Sequence, residues 1–352
     1  MKFGIFDYID QRDEPLHKMY DERMALLKAA EDAGFYGYHL TEHHMTPLSS
    51  TPSPAVFLAA AARETKRIRL GALLFLLPLY HPLRLLEEIC MLDHLSGGRL
   101  DFGVGRGVAP PEFAAYDVDI GRSQEDYEHA LAVLHQGFTR DRINYRCDRY
   151  TFNDVPVVMR PLQHPYPPLW YGLRGETGPA FAARHGMNGV TLGPDDSCAA
   201  TLATFRKHWA ATADERKAFN SPVQTPMAGL MRTMFIADTD AEANRIARPA
   251  YARWYDSLGW LWKKGGIALP ISIPEDFEQA KQSGALVVGG PDTVARIFEA
   301  QAQHIRHNYL VLMLAFGSLT HAQEMHSLDL FRREVMPRLA GLNDEPAAMV
   351  AA

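Results

Sequence analysis

Short apolar runs alternate along the chain with longer segments whose apolar positions recur at helical spacing, the pattern of βαβ units around a parallel sheet. Residues 2–6 read as a strand, and from about residue 20 Met24, Leu27 and Ala30 share one helical face before Gly34, a residue suited to a helix end. Residues 36–40 form the second predicted strand. Ser53-Pro54 supplies an N-cap followed by proline in the first turn, opening a helix that carries Val56, Phe57, Ala60 and Ala61. Residues 68–77 are almost wholly apolar, as expected of a strand buried on both faces. His81-Pro82 opens a third helix through Leu85, Leu86, Ile89 and Leu92, and Ser96-Gly97-Gly98 ends it before a strand at 100–104. Ser123 and Asp126 resemble a capping box for a helix reaching residue 136.

The rhythm breaks at 139–168, where 143–145 and 150–152 predict a hairpin on the rim, and resumes with strands at 169–172, 189–192 and 229–236. Helices are predicted from about residue 179, over 197–214 and over 240–257. Residues 260–288, rich in Gly, Pro and Trp, fit no periodic element and predict a long mobile lid, with Trp260 and Trp262 suggesting an apolar pocket. A helix at 291–303, a strand at 309–314 and a closing helix at 322–339 complete eight βα pairs. This α/β count predicts a (β/α)₈ TIM barrel with insertions over residues 1–340 and a flexible tail at 341–352. A doubly wound sheet is the alternative, but no dinucleotide fingerprint follows the first strand, where Gly4 stands alone.

Charge and composition narrow the function classes. Of 352 residues, 36 are Lys or Arg and 42 Asp or Glu, for a net charge of −6 without basic clustering, which argues against a nucleic-acid partner. Cys90, Cys147 and Cys198 are sparse and lack a CxxC pair, which suits a reducing cytoplasm and reads as small buried or incidental residues. Asp7 interrupts any leader-like apolar run, and the stretch 70–80 is about half a membrane span. A cytoplasmic protein with no membrane partner is the expectation.

In a barrel of this kind the strand ends carry the chemistry. The second strand ends in Thr41-Glu42-His43-His44, and imidazoles beside a carboxylate suit proton transfer near neutral pH. The competing reading is one buried structural histidine and one facing solvent; a metal site lacks a third ligand at short spacing. The fourth strand ends in Gly103-Val104-Gly105-Arg106-Gly107, either a close backbone approach to a ligand with an arginine for phosphate oxygens or a plain tight turn. The strand at 169–172 runs into Leu173-Arg174-Gly175-Glu176-Thr177-Gly178, a glycine-rich start that could bind an anion or simply turn. Arg122 is a further candidate cation. The run Leu73-Leu74-Phe75-Leu76-Leu77-Pro78 could wall a flat ring or serve only as core.

In order and spacing these pieces resemble the bacterial luciferase-like, flavin-dependent monooxygenase family. The resemblance rests on Glu42-His43-His44, Arg69-Leu70-Gly71 through Leu77-Pro78 with His81-Pro82, Leu92-Asp93 with Ser96-Gly97-Gly98-Arg99, Phe102 through Gly107, and Pro168-Leu169-Trp170. It implies a (β/α)₈ barrel that binds reduced FMN at the carboxyl ends of its strands, with His43 in proton transfer and Glu42 and His44 supporting it. It further implies a cis Leu73-Leu74 peptide under the flavin ring, Gly105 beside the flavin, and phosphate contacts from Arg106, Arg122 and the loop Leu173, Arg174, Gly175, Glu176 and Thr177. Gly105 stands where true luciferases carry a cysteine, which argues against light emission, and Arg174-Gly175-Glu176 differs from their acidic-serine loop. The implied reaction is two-component: a separate NAD(P)H:flavin reductase supplies reduced FMN, and one atom of O2 enters a small organic substrate. A homodimer is implied as well. Deazaflavin-dependent hydride transfer, non-catalytic flavin binding and metal-dependent hydrolysis at His43 and His44 are the alternatives.

Overall fold

The computed structural model describes residues 1–343; the tail expected at 341–352 lies almost wholly outside them. The strands are β1 (Lys2–Asp7), β2 (Gly37–Leu40), β3 (Arg69–Leu76), β4 (Leu100–Gly105), β5 (Arg142–Arg146), β6 (Thr151–Pro156), β7 (Leu169–Gly172), β8 (Asn188–Thr191), β9 (Ala228–Ile236), β10 (Leu286–Gly289) and β11 (Tyr309–Met313). Eight of them close a parallel ring in the order β1-β2-β3-β4-β7-β8-β9-β11, with β11 pairing back onto β1. The expected TIM barrel is therefore observed, and β5 and β6 form the predicted antiparallel hairpin outside it.

Side chains fill the barrel. Tyr309 lies across the interior, sharing a 2.7 Å hydrogen bond with His39 Nε2 and packing on Trp170. A Cβ at Gly4 or Gly37 would come within 1.9 or 2.8 Å of the Tyr309 hydroxyl, so these glycines make room for the ring. Burial pushes His39 down to about 3, which keeps the ring neutral in this apolar layer.

Helices surround the ring, and local sequence explains several of their ends. Pro54 and Pro82 sit in the first turn of helices Pro54–Glu64 and Pro82–Ser96, and Gly97 ends the second at φ +68°. The capping box expected at Ser123 and Asp126 does not form. Ser123 is already helical, and Asp126 instead accepts a hydrogen bond from Arg149 on the hairpin turn. Near the carboxyl end of β1, Arg23 joins Asp7 (3.1 Å) to Glu324 (3.0 Å), and Arg12 also reaches Glu324 (3.1 Å), tying helix Leu16–Asp32 to helix His321–Leu330.

The stretch 260–288 is more ordered than its composition predicts. The helix Asp240–Lys264 runs on through Trp262, helix Phe277–Gln282 follows, and β10 pairs with β9. Thr233 of β9 and Ala237 just beyond it donate their amides to the Ala285 and Gly289 carbonyls at the two ends of β10, while Met227 just before β9 receives the Gly189 amide of β8; these odd positions lie along one edge of β9, so β10 takes over the edge that β8 leaves. Within 260–288, only residues 265–276 and the short turn 283–285 lack helix and strand. Among the described residues no helix is long and apolar enough to cross a membrane.

Candidate active site

β2 ends at Leu40, so Glu42, His43 and His44 emerge at the carboxyl face of the barrel. The adjacent carboxylate does not hold His43. Glu112, fully buried on the short helix Pro110–Ala115, places Oε1 3.0 Å from His43 Nδ1 and 2.8 Å from the His44 amide. Because the amide donates into Oε1, that oxygen is an acceptor, and Nδ1 of His43 must be the donor. The basic nitrogen is then Nε2, which makes no hydrogen bond or ion pair among the described residues. The His43 ring stacks on Tyr8 at 5.9 Å between centroids.

Glu42 anchors the second histidine. Its Oε1 lies 2.9 Å from His44 Nε2, and its Oε2 accepts hydrogen bonds from the Leu76 amide and the Tyr80 hydroxyl. Burial raises the Glu42 pKa while its partners oppose the shift. His44 Nδ1 meets the Tyr116 hydroxyl at 2.9 Å, so a hydrogen-bonded chain runs from half-exposed Tyr116 through His44 to buried Glu42.

His43 opens onto a pocket whose other walls include Tyr8, Leu48, Ala109, Leu192, Trp262 and Ile271. Its polar side chains are few: Tyr8, His43, Thr46 and Arg174. The segment 265–276 closes one side and is tied down at three carbonyls. Arg174 donates to Pro270, Tyr255 to Ile273 and Tyr251 to Pro274. Trp262 is buried and lines the pocket, whereas Trp260 is 39% exposed and does not.

Leu73-Leu74 is a cis peptide, and the β3–β4 register shifts across it. Leu74, like Leu192 of the pocket wall, packs against the apolar cluster that holds Tyr8 and Leu48, two further residues of that wall. Its tip occupies space left by glycines: a Cβ would lie 2.5 Å from it at Gly105, 3.2 Å at Gly103 and 3.6 Å at Gly172. The Gly103-Val104-Gly105 motif thus seats the Leu74 side chain.

The candidate cations separate. Arg174 lines the pocket. Arg106 is exposed at the end of β4 and has no hydrogen bond or ion pair among the described residues. Arg122 is not brought to this pocket; it is engaged with Asp148 and Glu125 on the rim. Leu173 is buried over Gly189, where a Cβ would come within 2.6 Å of its side chain, so it is a packing residue. Gly175 turns at φ +64° into open space, and Glu176 and Thr177 are exposed, Thr177 heading helix Gly178–Arg184 without a side-chain cap. Sequence reading missed Glu112, Tyr8, Tyr80 and Tyr116; Ala109-Pro110-Pro111, a helix-start pattern just after the β4 motif, was the available signal for Glu112.

Comparison with known proteins places the chain in a family. A family model described as luciferase-like monooxygenase matches residues 1–308. The protein y4wF of Sinorhizobium fredii is 34% identical, covering 96% of this chain and 97% of its own length. Limonene 1,2-monooxygenase of Rhodococcus erythropolis is 26% identical over 90% of this chain and 81% of its own. The oxygenase component of flavin-dependent trigonelline monooxygenase from Acinetobacter baylyi is 25% identical over 78% and 77%. Among solved structures, the monooxygenase RslO1 of Streptomyces bottropensis superposes with a TM-score of 0.84 at 23% identity, covering 96% of this chain and 99% of that one. The oxygenating constituent of 3,6-diketocamphane monooxygenase from Pseudomonas putida, in complex with FMN, gives 0.72 at 20% identity, covering 96% and 98%. At these identities the structures establish the shared fold, while the family match spans most of the sequence: the chain is an enzyme of the luciferase-like monooxygenase family.

Proposed function

We propose that this chain is the oxygenase component of a two-component monooxygenase, taking reduced FMN from a separate NAD(P)H:flavin reductase and transferring one atom of O2 to an uncharged, largely apolar small molecule. The observation that carries this reading is His43, with Nδ1 fixed by buried Glu112 and Nε2 open to an apolar pocket. The residues present fit a flavin. Leu74, seated on Gly103, Gly105 and Gly172, offers an apolar floor, and Arg174 and Arg106 offer guanidinium groups that no carboxylate occupies. When bound, reduced FMN supplies the electrons that activate oxygen. His43 Nε2 is then positioned to hold or deliver a proton at the reacting centre, while Glu112 keeps its tautomer fixed. Apolar walls from Leu48, Leu192 and Trp262 exclude water and select an uncharged substrate.

The cavity measures about 120 Å³, below the ~300 Å³ at which small-molecule sites begin. Entry of flavin and substrate therefore requires the 265–276 segment to swing outward, and its three side-chain ties reclose it.

The test is a single turnover of the full chain with photoreduced FMN, ¹⁸O₂ and a panel of uncharged terpenes, long-chain aldehydes and cyclic ketones. One ¹⁸O atom per product is expected. His43→Ala should keep its FMN affinity within about twofold and lose roughly 10²–10⁴-fold in product formation. Unchanged oxygenation in that variant refutes the role of His43, and binding of a deazaflavin in place of FMN refutes the cofactor.

A further inference from the structure

A second cluster of ligating side chains stands on the rim, away from the pocket. Helix Ser123–Thr139 presents His129, and the turn between β5 and β6 presents Cys147 and Asp148. One ligating atom from each lies within 4.8 Å of the others. We propose that these three residues form a binding site for a borderline-soft divalent cation of the Zn²⁺ type.

The donor set argues for that class of ion. A thiolate, an imidazole and a carboxylate together suit Zn²⁺, whereas calcium and magnesium sites are built from oxygen alone. The imidazole is already oriented: His129 Nδ1 lies 2.7 Å from the Tyr145 hydroxyl, which leaves Nε2 as the nitrogen directed to a metal. Glu125, one turn earlier on the same helix, has Oε1 3.6 Å from that Nε2 and can supply a fourth donor.

The turn is held in place before any ion arrives. Cys147 and Tyr150 close it through the Cys147 amide and the Tyr150 carbonyl (2.8 Å), and the Tyr150 amide points at Cys147 Sγ (3.2 Å). That amide donates to sulfur and fixes where the side chain points. Arg149 clamps the turn to the barrel body by reaching Asp126 and the Pro78 carbonyl. Two donors from a braced turn thus face one from an adjacent helix.

Arg122 is the group a metal must displace, since its guanidinium is engaged with Asp148 and Glu125. Its side chain is 41% exposed, so moving it into water gives up only a screened surface pair. Binding is balanced by one proton: the Cys147 S–H bond breaks, the S–metal bond forms, and the proton passes to solvent.

The experiment uses the chelator-treated full chain, titrated with Co²⁺ and then with Zn²⁺. The expected result is one Co²⁺ per chain with a thiolate-to-cobalt charge-transfer band, displaced by Zn²⁺ with release of about one proton. Cys147→Ser should abolish the band, and His129→Gln should weaken binding roughly tenfold or more. FMN binding and the thermal midpoint serve as fold controls for both variants. Absence of the band in the unaltered chain overturns the proposal, as does binding that persists unchanged in both variants, which would place the metal elsewhere, for instance at His43 and His44.

Discussion

Adding one methyl group at Gly105 tests whether the glycine motif seats Leu74. The new Cβ would lie 2.5 Å from Leu74 Cδ1 and 3.1 Å from its Cβ. Carbon atoms rest at about 3.5–4.0 Å, so the Leu74 tip must move by roughly 1 Å or more. Leu74 is half-buried and borders the pocket cluster, so it can yield, at a cost of about 1–3 kcal/mol for overpacking. Leu74→Ala alone removes side-chain packing at a partly exposed site and should cost about 1–3 kcal/mol, the low end of the range for such truncations. In the double variant the methyl enters space the leucine has vacated. The Gly105→Ala penalty should then largely vanish, giving a coupling of about 1–3 kcal/mol. Gly103→Ala is the control. Its Cβ would meet the Ala72 carbonyl oxygen at 2.1 Å, which is backbone that no rotamer change relieves, so Leu74→Ala should not rescue it. Urea unfolding of the three single variants, the two double variants with Leu74→Ala and the unaltered chain supplies the energies, and FMN titration reports the floor. Additivity of Gly105→Ala and Leu74→Ala within about 0.5 kcal/mol would refute the seating argument.

Other perturbations separate the remaining parts of the site. Glu112→Gln keeps an acceptor for Nδ1 of His43 and the His44 amide but removes the charge, so product formation should fall roughly tenfold with little change in thermal midpoint. Glu112→Ala leaves the buried His44 amide unpaired and should lower stability by about 1–3 kcal/mol; equal midpoints for the two variants would contradict the bonding scheme. On the proposed reading, in which the side chain that ties the Pro270 carbonyl also meets the flavin phosphate, Arg174→Ala should weaken FMN binding about five- to tenfold and raise amide exchange in 265–276; unaltered exchange there would remove the tie. Stability should also depend on pH. Burial pushes His39 and His307 down to about 3 and Asp10 up to about 7. The histidines' contribution is complete above pH ~6.5 and is lost as pH falls, since the unfolded chain takes up two protons that the native chain refuses. Asp10 works the other way, because the native chain holds a proton that the unfolded chain releases above about 4. The net difference is one proton, so these groups should cost about 1.4 kcal/mol per unit between pH 6 and 4. A thermal midpoint that stays flat or rises on acidification over that interval would sink this account.

What the sequence disclosed follows the range of the interactions involved. The barrel strands were legible because both of their faces are buried, which leaves continuous apolar runs such as 68–77, and the proline and glycine signals at Pro54, Pro82 and Gly97 act within one turn. Knowing where β2 ends was enough to place Glu42, His43 and His44 at the active face. Which carboxylate serves which histidine was not legible. Neighbouring Glu42 turns to His44, while His43 takes Glu112, 69 residues away, because the Pro110–Ala115 helix brings that carboxylate under the β2 loop. The same competition undid the capping box: Asp126 is within reach of its own helix start, yet it binds Arg149 from the hairpin. β10 escaped notice because its four residues lie between Gly284 and Gly290-Pro291 in a stretch whose composition reads as loop, and the helix through Trp262 because its aromatic, glycine-flanked end looks like loop composition. Local chemistry therefore located the candidate site, and long-range pairing decided its wiring. Glu112 is where the two meet, for a single substitution there should alter turnover and folding by separable amounts.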